Sequence, residues 1–283
     1  MKIQEANSHL TGQLRAIYED PEAENISEWV LEHITGGKRT DRIINKEKML
    51  SPQQALQLNQ YLARLLQHEP VQYVLNEAWF CGLKFHVDKN VLIPRPETEE
   101  LVEWIISDCK FPVNKLSILD IGSGSGCIPI ALKKRLGKAD VWSCDVSPEA
   151  LKVANQNAAI LGINVKFIEL DFLNETERKK LPSFDIIVSN PPYIPQKDKE
   201  TMRHNVADHE PATALFVPDN DALIFYKAIA AFGKTHLSEK GAIYTEINES
   251  LGEPTSAMFQ ENGYKTELRK DMQEKERMLK AFV

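Results

Sequence analysis

The sequence predicts an α/β protein in which a mostly parallel, doubly wound sheet follows a small helical domain. Two observations support this fold class. Apolar strand patterns alternate with amphipathic helix patterns over most of the chain, as in parallel sheets. The first part of the chain shows only the apolar spacing of helices. At 283 residues the chain is long enough for about two domains with a buried core.

Residues 1–75 are expected to form the helical domain. Apolar side chains recur every three or four residues, as in Ile26, Trp29, Val30 and Ile34. Ser51 followed by Pro52 is typical of a helix start, because serine caps free amides and proline fits the first helical position. A second apolar run with helical spacing comprises Leu56, Leu58, Leu62, Leu65 and Leu66.

Residues 76–96 are expected to form a β-hairpin that links the two domains. From about Val71 the sequence is rich in aromatic and β-branched residues, which favour strands. Gly82 and residues 88–90 interrupt the pattern as turns do, and Pro94 and Pro96 end it.

Residues 97–283 are expected to form the sheet domain, beginning with a helix at Glu97. The predicted strands are 118–121, 141–146, 165–170, 184–189, 242–247, 264–268 and 278–283, and the later predicted helices are 127–136, 148–161, 222–237 and 253–261. Residues 194–220 show no regular pattern. Structureless connections of that length are uncommon in compact domains, so this segment is expected to be a lid or a binding segment.

The formal net charge of −7 argues against direct binding of nucleic acid. Proteins that track DNA or RNA neutralise phosphates with a basic excess or a basic face. The compact basic run is Lys133, Lys134 and Arg135, and it falls late in a predicted helix, where the helix dipole favours cations.

The sequence favours a cytoplasmic protein without a membrane segment or a metal. No apolar run approaches the roughly 18 to 20 residues that cross a bilayer, and the first residues lack a signal-peptide pattern. His204 and His209 have no cysteine nearby, so no metal site is expected. The four cysteines are expected to be reduced thiols, since they contain no C-x-x-C pair: Cys81, Cys109, Cys127 and Cys144.

A glycine-rich turn follows the first predicted strand of the sheet domain and opens a helix. Glycines let the backbone turn tightly and approach a nucleotide closely. A dinucleotide fingerprint would need its third glycine at position 127, which is Cys127 here. Alone, the turn is compatible with a dinucleotide, a nucleoside or no ligand. Its residues are Gly122, Ser123, Gly124, Ser125 and Gly126.

Acidic residues end the next two predicted strands. Asp145 can accept hydrogen bonds from both hydroxyls of a ribose. Asp171, with Phe172 after it, can bracket an adenine by hydrogen bonding and stacking. Each aspartate alone is equally compatible with a helix cap. Their positions at successive strand ends favour a nucleoside site.

Asn190, Pro191, Pro192 and Tyr193 follow the apolar strand 184–189. Two consecutive prolines stiffen the turn and remove two N–H donors, which leaves a surface rich in acceptors. A planar nitrogen with a delocalised lone pair fits such a turn, because its hydrogens can bond to the Asn190 side-chain oxygen and the Pro191 carbonyl while Tyr193 stacks on it. Held in line with a methyl donor, this nitrogen needs little base catalysis. An ordinary proline turn is the alternative interpretation.

Together these motifs resemble the protein-(glutamine-N5) methyltransferase family (HemK/PrmC), which modifies the glutamine of the Gly-Gly-Gln motif in peptide chain release factors. The resemblance covers nearly the whole chain. It includes the segments EPVQY (69–73) and LIPRPETE (92–99), and Glu210-Pro211 followed by Ala214-Leu215. The segment 92–99 separates this family from nucleic-acid methyltransferases that share the NPPY motif.

The resemblance implies a class I methyltransferase with a Rossmann-like sheet. Such an enzyme transfers a methyl group from S-adenosylmethionine to the glutamine N5 and releases S-adenosylhomocysteine, without a metal. The helical domain and residues 194–220 would bind the release factor, and the chain would act as a monomer. The implied cofactor contacts are Gly122 to Gly126, Asp145, Phe172 and Asn190, to which the strand-end pattern adds Asp171; Asn190, Pro191 and Tyr193 would be catalytic and, with Pro192, would hold the glutamine.

Some positions depart from the family pattern. Phe172 stands where the family often has tryptophan, and Asp208-His209 stands where an arginine is common. Asn248 replaces a glycine in a turn, and it is expected to adopt the left-handed conformation that the glycine would. Two other functions stay open: methylation of an adenine or guanine amine in DNA or RNA, and binding of S-adenosylmethionine or a dinucleotide without catalysis.

Overall fold

The computed structural model describes residues 1–109, 116–202 and 204–283. These residues fall into two compact units. The first comprises Met1–Glu77 and the described part of Arg203–His209. The second comprises the described part of Ala78–Met202 together with Glu210–Val283.

The first unit is built from helices. They are α1 (Ile3–Leu14), α2 (Asp20–Thr35), α3 (Arg39–Ile44), α4 (Pro52–Leu65) and α5 (Val71–Leu75). Apolar side chains from α1, α2 and α4 meet in one core, for example the fully buried Leu10, Val30 and Leu58. Helix α4 begins as predicted, because the Ser51 hydroxyl accepts a hydrogen bond from the Gln54 amide at 3.1 Å.

Some of the apolar residues whose spacing predicted these helices are exposed. Trp29, Leu56 and Leu66 have exposed fractions of 50%, 59% and 38%. Trp29 directly precedes the buried Val30, and successive residues of a helix point about 100° apart. The apolar spacing therefore identified the helix correctly, although not every apolar residue in it is buried.

A short hairpin begins the second unit. Its strands β1 (Ala78–Phe80) and β2 (Leu83–Phe85) are antiparallel, and the turn is Cys81-Gly82, with φ angles of 48° and 71°. The hairpin predicted for residues 76–96 is shorter than expected, since residues 86–95 contain no strand, whereas helix α5 (Val71–Leu75) lies within the predicted helical domain 1–75. Asp88 instead makes a local turn, accepting a hydrogen bond from the Asn90 amide at 2.9 Å.

A seven-stranded sheet forms the centre of the second unit, in the order β10-β11-β9-β6-β3-β4-β5. Strands β5, β4, β3, β6 and β9 run parallel, whereas β11 is antiparallel to both β9 and β10. The predicted mostly parallel, Rossmann-like sheet is confirmed. The strands after the hairpin are β3 (Ser117–Ile121), β4 (Asp140–Asp145), β5 (Lys166–Glu169), β6 (Phe184–Ser189), β7 (Ile194–Pro195), β8 (Phe216–Val217), β9 (Leu237–Glu246), β10 (Lys265–Lys270) and β11 (Glu276–Phe282).

Apolar cores cover both faces of the sheet, because successive strand residues point to opposite sides. Ile118 and Val141 pack with α6 and α7 on one face, and Leu119 and Ile243 pack with α12 and α13 on the other. The helices after α5 are α6 (Pro96–Asp108), α7 (Cys127–Leu136), α8 (Pro148–Leu161), α9 (Glu175–Arg178), α10 (His204–Ala207), α11 (Ala212–Leu215), α12 (Ile224–His236) and α13 (Gly252–Glu261). Of these, α10 belongs to the first unit.

Residues 194–220 are not structureless, which corrects the prediction. Besides α10, α11 and the parallel pair β7–β8, they contain a 3₁₀ helix at Gln196–Thr201. Elements of two to six residues are too short for apolar periodicity to reveal. A second 3₁₀ helix lies at Glu249–Leu251.

Among the described residues, no helix combines the length and the apolarity that crossing a membrane requires.

Candidate active site

A cavity of about 380 Å³ opens at the carboxyl ends of β3, β4 and β6. Parallel strands present these ends at one edge of the sheet, where α/β proteins bind ligands. The lining residues predicted from the sequence are Gly122, Ser123, Gly124, Ser125, Asp145, Asp171, Phe172, Asn190, Pro191 and Pro192. The glycine turn, the acidic residues and most of the NPPY motif thus lie together at the carboxyl ends of the parallel strands.

The glycine turn after β3 needs its glycines for two reasons. Gly122, Gly124 and Gly126 all have positive φ angles, of 88°, 50° and 80°, which other residues rarely adopt. A Cβ on Gly126 would approach within 3.2 Å of the Ala154 Cβ, so this glycine also packs the turn against α8. A Cβ on Gly122 or Gly124 would meet no described atom within 4 Å. These two glycines therefore keep open the space along the cavity wall.

Asp145 ends β4 beside this turn. Its two carboxylate oxygens accept hydrogen bonds from the backbone amides of Gly124 and Ser147, each at 2.9 Å. Burial raises the pKa of Asp145, and these amides oppose the shift. The helix cap that the sequence left open is Ser147, whose hydroxyl accepts a hydrogen bond from Ala150 at the start of α8. Each Asp145 oxygen keeps acceptor capacity for a ligand hydroxyl.

Asp171 and Phe172 lie beyond the end of β5 and line the same cavity. Asp171 is exposed, and its carboxylate accepts a hydrogen bond from the Leu173 amide at 2.9 Å. The Phe172 ring is 4% exposed and meets Phe232 edge to face, with ring centroids 5.3 Å apart. Packing from behind thus fixes the ring at the cavity wall.

The NPPY motif follows β6, and its members face different surroundings. Asn190, Pro191 and Pro192 line the cavity. Tyr193 packs against the core that includes α12, and its hydroxyl donates a hydrogen bond to Glu246 at 3.3 Å. Within the described residues Tyr193 is not part of the cavity lining, so its stacking on a substrate stays a prediction.

A buried hydrogen-bond chain reaches Asn190 from behind. Asn190 Nδ2 donates to Thr98 Oγ1 at 3.1 Å, and Thr98 Oγ1 donates to Glu246 Oε2 at 2.6 Å. Burial raises the pKa of Glu246 to about 7, although the Thr98 hydroxyl and the Arg277 charge favour the ionised form. The sequence offered one signal for this carboxylate, a charge at the end of an apolar strand. We assigned it no role from the sequence alone.

An ion pair joins two segments of the cavity wall. Arg95 lies within 2.5 Å of Glu210, whose side chain is 1% exposed. Burial raises the pKa of Glu210, and the Arg95 charge opposes the shift. In the sequence, the segment 92–99 and Glu210-Pro211 were recognised only as part of the resemblance to the family, without a role for either charge. Pro211 and Phe216 also line the cavity and add apolar surface.

The turn after β9 differs from the prediction. Asn248 has φ −66° and ψ 138°, an extended conformation rather than a left-handed one. Its side chain instead caps the 3₁₀ helix Glu249–Leu251 by accepting a hydrogen bond from the Ser250 amide at 2.9 Å. Asparagine therefore replaces glycine here by capping, not by mimicking its backbone.

Comparison with known proteins places this chain in a family. A release factor glutamine methyltransferase of Flavobacterium psychrophilum is 41% identical over 284 residues, covering 99% of each chain. One of Bacteroides thetaiotaomicron is 39% identical and covers 97% of this chain and 98% of its own. This chain belongs to the release factor glutamine methyltransferase family.

Family models and solved structures agree with that membership. Residues 5–75 match the PrmC N-terminal domain, and residues 101–212 match the methyltransferase small domain. A methyltransferase structure from Pyrococcus furiosus has a TM-score of 0.52 at 17% identity, covering 79% of this chain and 98% of that one. This structural likeness shows the fold. The full-length relatives and the family models confirm the resemblance that the motifs indicated, and the chain is a methyltransferase.

Proposed function

We propose that this chain transfers a methyl group from S-adenosylmethionine to the side-chain nitrogen N5 of the glutamine in the Gly-Gly-Gln motif of peptide chain release factors. One observation carries the proposal: Asn190 and Pro191 share a cavity wall with the glycine turn and Asp145. The named activity of the full-length relatives supports the same substrate.

The residues around the glycine turn fit the cofactor. Asp145 offers carboxylate acceptors for two ribose hydroxyls, and Gly122 and Gly124 leave room along the wall. Phe172 and Asp171 stand where an adenine would stack and bond. When bound, S-adenosylmethionine supplies a methyl group that its sulfonium makes electrophilic.

The residues around Asn190 fit an amide nitrogen. An amide N–H₂ group has two hydrogens and almost no basicity, so it needs two acceptors that orient it. The Asn190 side-chain oxygen and the Pro191 carbonyl provide them. The two prolines hold this turn stiffly, so the Pro191 carbonyl is already oriented before the substrate arrives.

The reaction balances without a strong base. A bond forms between the glutamine nitrogen and the methyl carbon as the sulfur–carbon bond breaks, and the nitrogen releases one proton to water. The products are N5-methylglutamine and S-adenosylhomocysteine. Alignment of the reacting atoms supplies most of the rate enhancement, up to about 7–11 kcal/mol in favourable cases.

The partner is a folded protein, and the chain acts on it as a monomer in the cytoplasm, where translation takes place. The net charge of −7 is consistent with a protein substrate rather than with direct binding of nucleic acid. We assign the helical first unit to recognition of the release factor, beyond the reactive loop.

Labelled S-adenosylmethionine tests this proposal. The protein is incubated separately with release factor, with a factor whose loop glutamine is alanine, and with RNA. We expect label only in the unaltered factor, and Asn190→Ala should abolish it while the protein keeps much of its cofactor affinity. Label in RNA but not in release factor would instead assign a nucleobase amine as substrate. Cofactor binding without any transfer would indicate a non-catalytic module.

A further inference from the structure

The Asn190 amide can be held in either of two orientations, and only one of them serves the proposed reaction. With the oxygen toward the cavity, Asn190 accepts a hydrogen from the substrate nitrogen. With the amide reversed, its N–H₂ group would face the substrate N–H₂ group, donor against donor. A contact with another residue of the protein must therefore stabilise one orientation of the Asn190 amide over the other.

The hydrogen-bond chain from Asn190 through Thr98 to Glu246 favours one orientation of the amide. An ionised carboxylate only accepts, so above its pKa of about 7 Glu246 accepts a hydrogen bond from the Thr98 hydroxyl at 2.6 Å. The Thr98 oxygen can then only accept from Asn190, which turns the Asn190 nitrogen toward Thr98 at 3.1 Å. The Asn190 oxygen is left on the opposite side of the amide.

Burial leaves the residues of this hydrogen-bond chain few alternative hydrogen-bond partners. Thr98 and Glu246 are each 2% exposed, so water offers them little alternative. A reversed Asn190 would place its oxygen against the Thr98 oxygen without a proton between them. The Tyr193 hydroxyl also donates a hydrogen bond, at 3.3 Å, to the other carboxylate oxygen of Glu246. The direction of each donor in the chain is therefore fixed.

We propose that Thr98 and Glu246 are positioning residues that orient the Asn190 amide so that its oxygen faces the substrate nitrogen. This inference rests on the proposed function. It assigns a role to Glu246, the buried carboxylate at the end of β9, which the sheet does not need for its own hydrogen bonding. It also explains why a threonine hydroxyl lies in the first turn of α6, next to the motif.

Thr98→Val tests the proposal, because valine keeps the shape of threonine but cannot bond. At pH 8 we expect kcat for methylation of whole release factor to fall about 10- to 100-fold, as when a residue that orients a ligand is lost. Affinity for S-adenosylmethionine, measured by calorimetry, and KM for the release factor should stay within about threefold. Thr98→Ser, which restores a hydroxyl, should recover most of the lost kcat.

A matched control is Thr255→Val. Thr255 is also fully buried, but its hydroxyl has no hydrogen-bond partner among the described residues. This variant should keep the wild-type kcat. If Thr98→Val does not fold, Thr98→Ala, which also lacks the hydroxyl, supplies the second variant, with the same expected loss of kcat.

Three outcomes overturn the inference: Thr98→Val with a kcat within twofold of wild type, Thr98→Ser as slow as Thr98→Val, or a kcat loss matched by an equal loss of cofactor affinity. Failure of the proposed function is distinguishable, since the wild type and Thr255→Val would then label no release factor at all.

Discussion

At the scale of single residues, Asp145 bonds to the backbone of the fold and also lines the cavity proposed for the cofactor. Its carboxylate already accepts two backbone hydrogen bonds and so stands in a fixed position at the end of β4. A fixed, partly buried acceptor loses little entropy when a ligand hydroxyl binds. Cofactor affinity should therefore depend strongly on the charge of this one side chain.

Asp145→Asn should weaken S-adenosylmethionine binding by at least about tenfold, because hydrogen bonds to a charged acceptor contribute roughly 1.5–3 kcal/mol. Titration calorimetry measures the change. Asp140→Asn, at the exposed other end of the same strand, is the control and should bind as the wild type does. Equal affinities for Asp145→Asn and Asp140→Asn would place the ribose elsewhere.

Glu246 carries a stability cost that depends on pH. Its pKa is about 7 in the folded protein, above the ordinary 4.5. The folded state therefore holds an extra proton between these values, and the free energy of unfolding decreases as pH rises through this window. Burial outweighs the opposing charge of Arg277, while Glu97, Tyr193 and Tyr226 also face this site.

Glu246→Gln should accordingly be more stable than the wild type by about 1–3 kcal/mol at pH 8, with a smaller difference at pH 5.5. Urea unfolding at the two pH values measures this. Glu169→Gln, at the exposed end of β5, should show no such pH-dependent gain. A variant that is less stable at pH 8 would mean that the ionised carboxylate stabilises the fold.

At the scale of elements, long helices and buried strands were predictable, and short elements were not. Helices 127–136 and 148–161 match to the residue, because each extends over at least two full turns of apolar spacing. Helix α9, helix α11 and strands β7 and β8 are too short to show a period. The apolar pattern also does not predict helix caps. Asn248, for example, caps a 3₁₀ helix by accepting a hydrogen bond from the Ser250 amide.

The sequence could identify cavity-lining residues where a motif follows a strand directly, as Gly122–Ser125, Asp145 and Asn190–Pro191 do, while the assignment of these residues to cofactor and substrate stays a prediction. It was not predictable where residues distant in sequence combine. Thr98 lies 92 residues from Asn190 and 148 from Glu246, so no spacing rule joins them. The role of Thr98 follows only from the folded hydrogen-bond chain.

The Arg95–Glu210 ion pair holds the segment before α6 and the segment that leads into α11. Arg95→Ala would leave Glu210 buried without its cation, at a local cost of about 2–4 kcal/mol. We expect amide hydrogen exchange in residues 210–217 to become at least about tenfold faster, measured by mass spectrometry, and methyl transfer to slow.

The control for this ion pair is Arg135→Ala. The side chains of Arg135 and its partner Glu103 are 47% and 53% exposed, and exposed pairs contribute at most about 1 kcal/mol. Hydrogen exchange in residues 210–217 should not change in this variant. If Arg95→Ala and Arg135→Ala give the same exchange rates, the segment is held by its apolar contacts instead.

At the scale of the whole molecule, a release factor presents more than its reactive loop. The first unit exposes large apolar side chains, among them Trp29, Ile44 and Met49, with exposed fractions of 50%, 80% and 60%. Exposed aromatic and aliphatic side chains are the usual anchors of protein interfaces. This supports our proposal that the helical unit recognises the folded substrate while the cavity in the second unit performs the transfer.

Separate recognition and transfer predict that the two can be impaired independently. Replacing Trp29 and Ile44 together by serine should raise KM for whole release factor about tenfold or more, since interface anchors contribute about 1 kcal/mol or more each. With a short Gly-Gly-Gln peptide, kcat/KM should stay within about twofold of wild type, because such a peptide reaches only the cavity. Met272→Ser, 83% exposed in the second unit, is the control for loss of exposed apolar surface and should leave both values unchanged. An unchanged KM for whole release factor in the double variant would assign recognition to another surface, and an equal loss with the peptide would indicate damage to the cavity itself.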